Sequence, residues 1–142
     1  MPRPLHIACL QTQPKASMAD AIGEAVPLIE AAARAGANMM FLPEYAGGLR
    51  SDGAKILPPS APEDAHGFLE AVRTAAARLR VWVSVGSVAV DGPDGRIHNR
   101  GYMIGERGEI VGRYDKLHLF DVELSDGHVY RESETVQPGA VA

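Results

Sequence analysis

Asn38-Met-Met-Phe-Leu-Pro-Glu44-Tyr45 is the stretch on which the fold turns. Asn38 to Leu42 reads as a short buried strand, and Pro43 ends it because proline cannot donate to a central ladder. Upstream, Leu5 to Gln11 is a second short apolar run, bounded by Pro4 and Pro14, and reads as a strand of the same kind. Between them Met18, Ile22, Ala25, Ile29 and Ala32 recur at steps of four and three, which places them on one helical face. Pro27 lies inside that helix and predicts a kink or a late start. Gly36 stops it. Strand, helix and strand in this order predict parallel βαβ packing. Glu44 then stands at the end of a strand, where α/β sheets place their sites.

Downstream, Glu44 to Pro59 reads as a long loop with Gly47, Gly48, Gly53, Pro58 and Pro59, and long loops in small domains are often functional. Ser60-Ala-Pro-Glu63 fits a capping box, in which Glu63 returns a hydrogen bond to the cap. The helix after it presents Phe68, Leu69, Val72, Ala76 and Leu79 on one side. Val81 to Val90 is β-branched and strand-like. Asp91 to Gly95 and Gly105 to Gly108 are turns that separate it from strands at Ile97 to Ile104 and Ile110 to Tyr114. The expected order is β-α-β-loop-α-β-β-β in a single α/β domain. Its mixed sheet is parallel in the first half, antiparallel in the second, and covered by helices on one face. Val136-Gln-Pro-Gly139 is turn chemistry. Ala140-Val-Ala142 reads as the start of a further strand, so the expectation is a fold cut short at residue 142.

Composition narrows the function. The 142 residues carry 14 Lys and Arg against 18 Asp and Glu, a net charge of −4. That balance, with no basic run, argues against a nucleic-acid partner. No apolar stretch reaches the roughly 18 residues that span a bilayer, and the N-terminus lacks a signal peptide's apolar core. A cytoplasmic protein with no membrane partner is expected. The single cysteine, Cys9, cannot form an internal disulfide framework. His6, His66, His98, His118 and His128 lack ligand-like spacing, so neither a metal nor another cofactor is expected. A nucleotide-binding βαβ unit would need a glycine-rich first turn, and Thr12 to Ser17 contains no glycine. Trp82 is expected in the core or at an interface.

Three segments carry the chemical signal. Phe41-Leu-Pro-Glu44-Tyr45 puts a carboxylate at a strand end, although an isolated Pro-Glu is ordinarily a solvated loop. Arg113-Tyr-Asp-Lys116-Leu-His-Leu-Phe120 sets a lysine among apolar and aromatic residues, where a fixed cation can meet an oxyanion; a snorkelling surface lysine is the commoner case. Tyr130-Arg-Glu132-Ser133 adds a second carboxylate. His118, close to Lys116, is a candidate to shape the site, a packing role being the commoner case. Asn99 and Arg100 are candidates to tie their strand to the wall of the site.

In this order and spacing the segments resemble the nitrilase, or carbon–nitrogen hydrolase, superfamily. His6-Ile-Ala-Cys-Leu-Gln-Thr-Gln13 is similar to that family's first strand and Phe41-Leu-Pro-Glu44 to its catalytic-glutamate motif. Asn99-Arg100, Gly108 and Tyr114-Asp-Lys116-Leu-His-Leu-Phe-Asp-Val-Glu123 resemble its catalytic-lysine segment, and Tyr130-Arg-Glu-Ser133 and Pro138-Gly139 continue the match. The branch it most resembles is the ω-amidase and deaminated-glutathione amidase group. The resemblance implies the N-terminal portion of an α-β-β-α sandwich, a homodimer or higher homo-oligomer, and hydrolysis of a non-peptide C–N bond in a small linear amide. It implies Glu44 as general base, Lys116 as the group that stabilises the oxyanion, and Glu132 as the supporting glutamate. The family's nucleophile is a cysteine further along, absent from these residues, so the chain alone is expected to be inactive. Cys9, inside the first strand, is expected to be a core residue and no substitute. The alternative is a catalytically dead homologue that serves as an interaction or oligomerisation module.

Overall fold

β1 (Ile7–Cys9), β2 (Met39–Phe41) and β6 (Trp82–Asp91) run parallel side by side, with Ala8 opposite Met40 and Met40 opposite Val83. β7 (Ile97–Ile104) and β8 (Ile110–Asp115) extend the sheet antiparallel to give the order β1-β2-β6-β7-β8. The architecture is that of a computed structural model, which describes residues 4–52 and 55–141. The half-parallel, half-antiparallel sheet expected from the sequence is present. Its reason is covalent: a helix connects each parallel pair, and only tight turns connect the antiparallel ones.

Among the described residues two α-helices cover one face of the sheet. α1 (Met18–Arg34) starts at Ser17, whose hydroxyl accepts from the backbone N–H of Asp20 at 3.1 Å. α2 (Gly67–Leu79) packs beside it. Ala21, Ala25 and Ile29 of α1, and Phe68, Leu69 and Val72 of α2, close over Met40, Val83, Val85, Tyr102 and Ile104. Register explains the selection. Strand side chains alternate, so the residues paired as Ala8–Met40–Val83–Ile104 all meet the helices. Ile7, Met39, Trp82 and Met103 point to the other face.

That alternation corrects the expectation for Cys9. It lies on the edge strand, opposite Phe41, on the face away from the helices, and it is exposed rather than core. Trp82 shares that face and is half-buried. β1 is also shorter than Leu5 to Gln11, and Leu5 is 62% exposed. Pro27 neither delays nor breaks α1. It sits on the exposed side, as does Gly23 one turn earlier, so the carbonyl left without its helical donor faces solvent rather than the core.

The capping box is a second correction. Ser60 belongs to a short strand, β5 (Ser60–Ala61), paired parallel with the end of β6. The cap of α2 is His66, which is buried; its Nδ1 accepts from Leu69 N–H at 3.4 Å, and its Nε2 lies 3.2 Å from the carbonyl of Ala89. Burial holds the His66 imidazole below its ordinary pKa. Glu63 turns instead to the strands. It accepts from Arg113 Nη2 at 2.7 Å, Arg100 Nη1 at 2.9 Å and the Tyr102 hydroxyl at 2.8 Å. The expected loop from Glu44 to Pro59 contains a small ladder of β3 (Ser51–Asp52) and β4 (Lys55–Ile56); Gly53 lies outside the described residues. A hairpin of β9 (Asp121–Glu123) and β10 (Val129–Arg131) follows β8 and was not expected. Its strands are three residues each, too short for a periodicity. Ala140 and Val141 lie outside any strand, and Ala142 lies outside the described residues.

The Glu63 cluster has a measurable consequence. Its hydrogen bonds with Arg113, then with Tyr102 and Arg100, outweigh partial burial and hold the carboxyl down at about 2, against an ordinary 4.5. A depressed folded-state pKa contributes stability that is present above the unfolded value and lost as pH falls through the folded one. Stability is expected to decline between about pH 4.5 and pH 2, and Glu63→Gln to flatten that part of the curve. Urea midpoints measured across the window check this; an unchanged slope in the variant would remove Glu63 as its source.

Candidate active site

Glu44 leaves the sheet at the carboxyl end of β2, and neighbouring β6 holds it there. Leu42 N–H donates to the Ser84 carbonyl at 2.9 Å, Gly86 N–H to the Leu42 carbonyl at 3.1 Å, and Ser87 N–H to the Pro43 carbonyl at 3.3 Å. Ser87 is buried; its hydroxyl accepts from Tyr45 N–H at 2.9 Å and its carbonyl from Ala46 N–H at 2.9 Å. These contacts fall where β6 bulges. Val85 pairs with Tyr102, but Val88 pairs with Arg100, so one extra residue is accommodated on β6. A side chain at Gly86 would place its first carbon 2.5 Å from the Leu42 carbonyl oxygen. Tyr45, at φ 51°, then turns the chain through the left-handed region. That conformation is uncommon for a bulky residue and persists only where its surroundings over-determine it.

Lys116 follows β8 and continues its ladder, its N–H donating to the Asn99 carbonyl at 3.0 Å. The side chain reaches back over the sheet end, placing Nζ 3.2 Å from Glu44 Oε1. It lies 3.1 Å from each carboxylate oxygen of Glu132. Glu132 follows β10, and the hairpin is what returns it. The Asp121 carboxylate accepts from Ser133 N–H at 3.0 Å and from the Ser133 hydroxyl at 2.6 Å, while Glu132 Oε2 accepts from Phe120 N–H at 2.6 Å. Phe120 and Tyr130 close the hairpin with ring centroids 5.9 Å apart. The three candidate residues Glu44, Lys116 and Glu132, far apart in the chain, thus share one contact.

Burial pulls the Lys116 ammonium toward neutrality, but the hydrogen bonds it donates to Glu132 and Glu44 outweigh it and leave its pKa above the ordinary value. The cation persists at neutral pH. The Tyr45 hydroxyl is pushed well above its ordinary range by burial and then by the charges of Glu132 and Glu44, so it remains a neutral donor. A cleft of about 550 Å³ opens above the cluster, with Leu49, Ile97, Phe120 and Tyr130 among its apolar and aromatic walls. That volume suits a small molecule. Glu44 has more than half of its side-chain surface free toward solvent, whereas Glu132 keeps 15%. The two carboxylates therefore differ: one is open to a reactant and the other is mostly occupied with the lysine.

Among the described residues no group of three or more His, Cys, Asp or Glu side chains is arranged to hold a metal ion. His118 is exposed rather than packed beside Lys116. Arg100 turns away from the cleft to Asp115 and Glu63, while Asn99 donates from Nδ2 to Glu44 Oε1 at 2.7 Å. Sequence reasoning missed Ser87. The glycine beside it, isolated inside a β-branched run, is the signal that marks a bulge.

The fold is thus a mixed α/β sheet whose strand ends gather a carboxylate–lysine–carboxylate cluster beneath a cleft. The chain belongs to the carbon-nitrogen hydrolase family, whose model matches residues 6–141. It is 34% identical over 140 residues to Deaminated glutathione amidase of Synechocystis sp., covering 96% of this chain and 50% of that protein. To Omega-amidase NIT2 of Homo sapiens it is 27% identical over 134 residues, covering 94% and 48%. The C. elegans NitFhit protein superposes with a TM-score of 0.79 at 25% identity, over 94% of this chain and 33% of that one. Saccharomyces cerevisiae Nit3 superposes at 0.75 and 19% identity, over 96% and 49%. The chain spans about half the length of the curated relatives it matches.

The stitched loop predicts a local sensitivity. Gly86→Ala forces a carbon against the Leu42 carbonyl, and overpacking of this kind costs about 1–3 kcal/mol. Denaturant unfolding should record that loss, whereas Gly95→Ala, where a side chain meets nothing within 4 Å but φ is +73°, loses about 1 kcal/mol through the backbone alone.

Proposed function

We propose that this chain carries the base-and-lysine half of an amide-hydrolysing site of the carbon–nitrogen hydrolase type, acting on a small linear amide. The observation that carries the reading is the Lys116 ammonium held 3.2 Å from Glu44 and 3.1 Å from Glu132 at the floor of the cleft. The amidase names of the curated relatives support the same reaction class. In this reading the nucleophilic thiol is supplied from outside these 142 residues.

An amide carbonyl is a weak electrophile, so a thiolate is the fitting nucleophile. Glu44 takes the thiol proton as sulfur bonds to the carbonyl carbon, and the π electrons move onto oxygen. Lys116 meets that oxyanion, and being already charged and held between two carboxylates it need not reorganise. The C–N bond then breaks, Glu44 returns its proton to the departing nitrogen, and ammonia leaves a thioester. Water attacks the thioester as Glu44 takes its proton, a second oxyanion faces Lys116, and the C–S bond breaks as Glu44 returns the proton to sulfur, which releases the acid and regenerates the thiol. Glu132 acts on Lys116: it holds the ammonium in place through both steps. Cys9 takes no part: it lies on the edge strand β1, opposite Phe41, and is not among the residues that line the cleft.

Ammonia release from small linear amides tests the proposal. The 142-residue chain is expected at background, and Cys9→Ala to leave it there. In a polypeptide that includes the catalytic cysteine, Glu44→Gln and Lys116→Ala should each lower kcat by at least about 100-fold, the scale of losing a base or an oxyanion donor. Retained turnover in either variant would sink the assignment, and robust release that disappears in Cys9→Ala would overturn the reading of Cys9.

A further inference from the structure

Asn99 is the third residue of β7, opposite Ala89, and is 3% exposed. It touches both halves of the cluster. Its backbone carbonyl accepts from Lys116 N–H at 3.0 Å, and its side-chain Nδ2 donates to Glu44 Oε1 at 2.7 Å. The same Glu44 oxygen accepts from Lys116 Nζ. Orientation of the amide follows from chemistry: an ionised carboxylate only accepts, so the NH₂ end must face Glu44. A buried amide on a central strand has few rotamers available to it, whereas Glu44 stands on a loop and is the more exposed partner.

We infer that Asn99 is a positioning residue that aims the Glu44 carboxylate and ties it to the strand that carries Lys116, so that base and cation keep one separation through the reaction. This rests on the amidase reading above. Three features support it. Asn99 is the buried member of an otherwise solvent-reached cluster. It holds the lysine through the backbone and the glutamate through the side chain, so a shift of one is passed to the other. Ser87 anchors the backbone on the far side of Glu44, at Tyr45, which leaves the carboxylate as the part still needing an aim. A well-placed group displaced by about 1 Å can lose on the order of 100-fold in rate.

Asn99→Asp tests the inference because it keeps the shape and replaces the donor with an acceptor. In a polypeptide that includes the catalytic cysteine, kcat near neutral pH is expected to fall about 100-fold while KM stays within about threefold. The deficit should narrow as pH is lowered, since only the protonated acid can donate to Glu44. Unchanged kcat at neutral pH, with Glu44→Gln inactive in the same assay, would overturn the inference and leave the amidase reading standing. Turnover retained in Glu44→Gln would sink the amidase reading itself, and the inference about the reaction with it. A readout without activity covers an Asn99→Asp that does not fold. The Asn99 side-chain amide resonances should stand apart in a nitrogen–proton correlation spectrum and shift in Glu44→Gln; resonances indifferent to Glu44→Gln would overturn the inference as well.

Discussion

One ammonium shared by two carboxylates organises this end of the molecule. Glu44 and Glu132 come from segments that the chain separates widely, and unit charges at about 4 Å interact by about 4 kcal/mol at an effective dielectric of 20. Without a cation between them they would repel. Lys116 turns that repulsion into attraction from both sides, and burial makes the requirement stricter because a half-buried charge left unpaired is costly. The hairpin of β9 and β10 exists in the fold as the route by which Glu132 returns to the lysine. Its own hydrogen bonds, from Ser133 to Asp121 and from Phe120 to Glu132, serve that return.

The sheet solves the other half of the problem. A reactive carboxylate should stand clear of the strands yet not wander. The bulge at Gly86 and Ser87 meets both demands by turning a strand edge into a set of donors and acceptors for the Leu42–Ala46 segment. It also resets the alternation, so that Val88 and Val90 face the helices as Val83 and Val85 do. Packing and site therefore depend on the same extra residue. On the opposite side of the sheet, Ile7, Cys9, Met39 and Trp82 form a largely apolar face that no helix of the described residues covers.

The apolar spacing of α1 and α2, the β-branched run of β6 and the proline-glutamate at the end of β2 were legible because local patterns report which face of an element is buried. Lys116 and Glu132 were legible as a motif, and their meeting with Glu44 is geometry that no spacing contains. Cys9 was misread because alternation along a three-residue strand does not say which face the helices cover. Glu63 was misread because a capping box and a strand-facing carboxylate have the same local sequence; three partners on β7 and β8 outbid one backbone donor.

By itself the sequence determined the order of the two α-helices and of the five main sheet strands, the parallel and antiparallel halves of the sheet, and the residue types available for chemistry, since these follow from periodicity, turn residues and chain connectivity. Tertiary structure alone decided which face is buried, where β6 bulges, that His66 rather than Ser60 caps α2, and that Asn99 stands between Glu44 and Lys116. Those outcomes depend on contacts between residues tens of positions apart, and such contacts form only when the sheet's register brings their strands together.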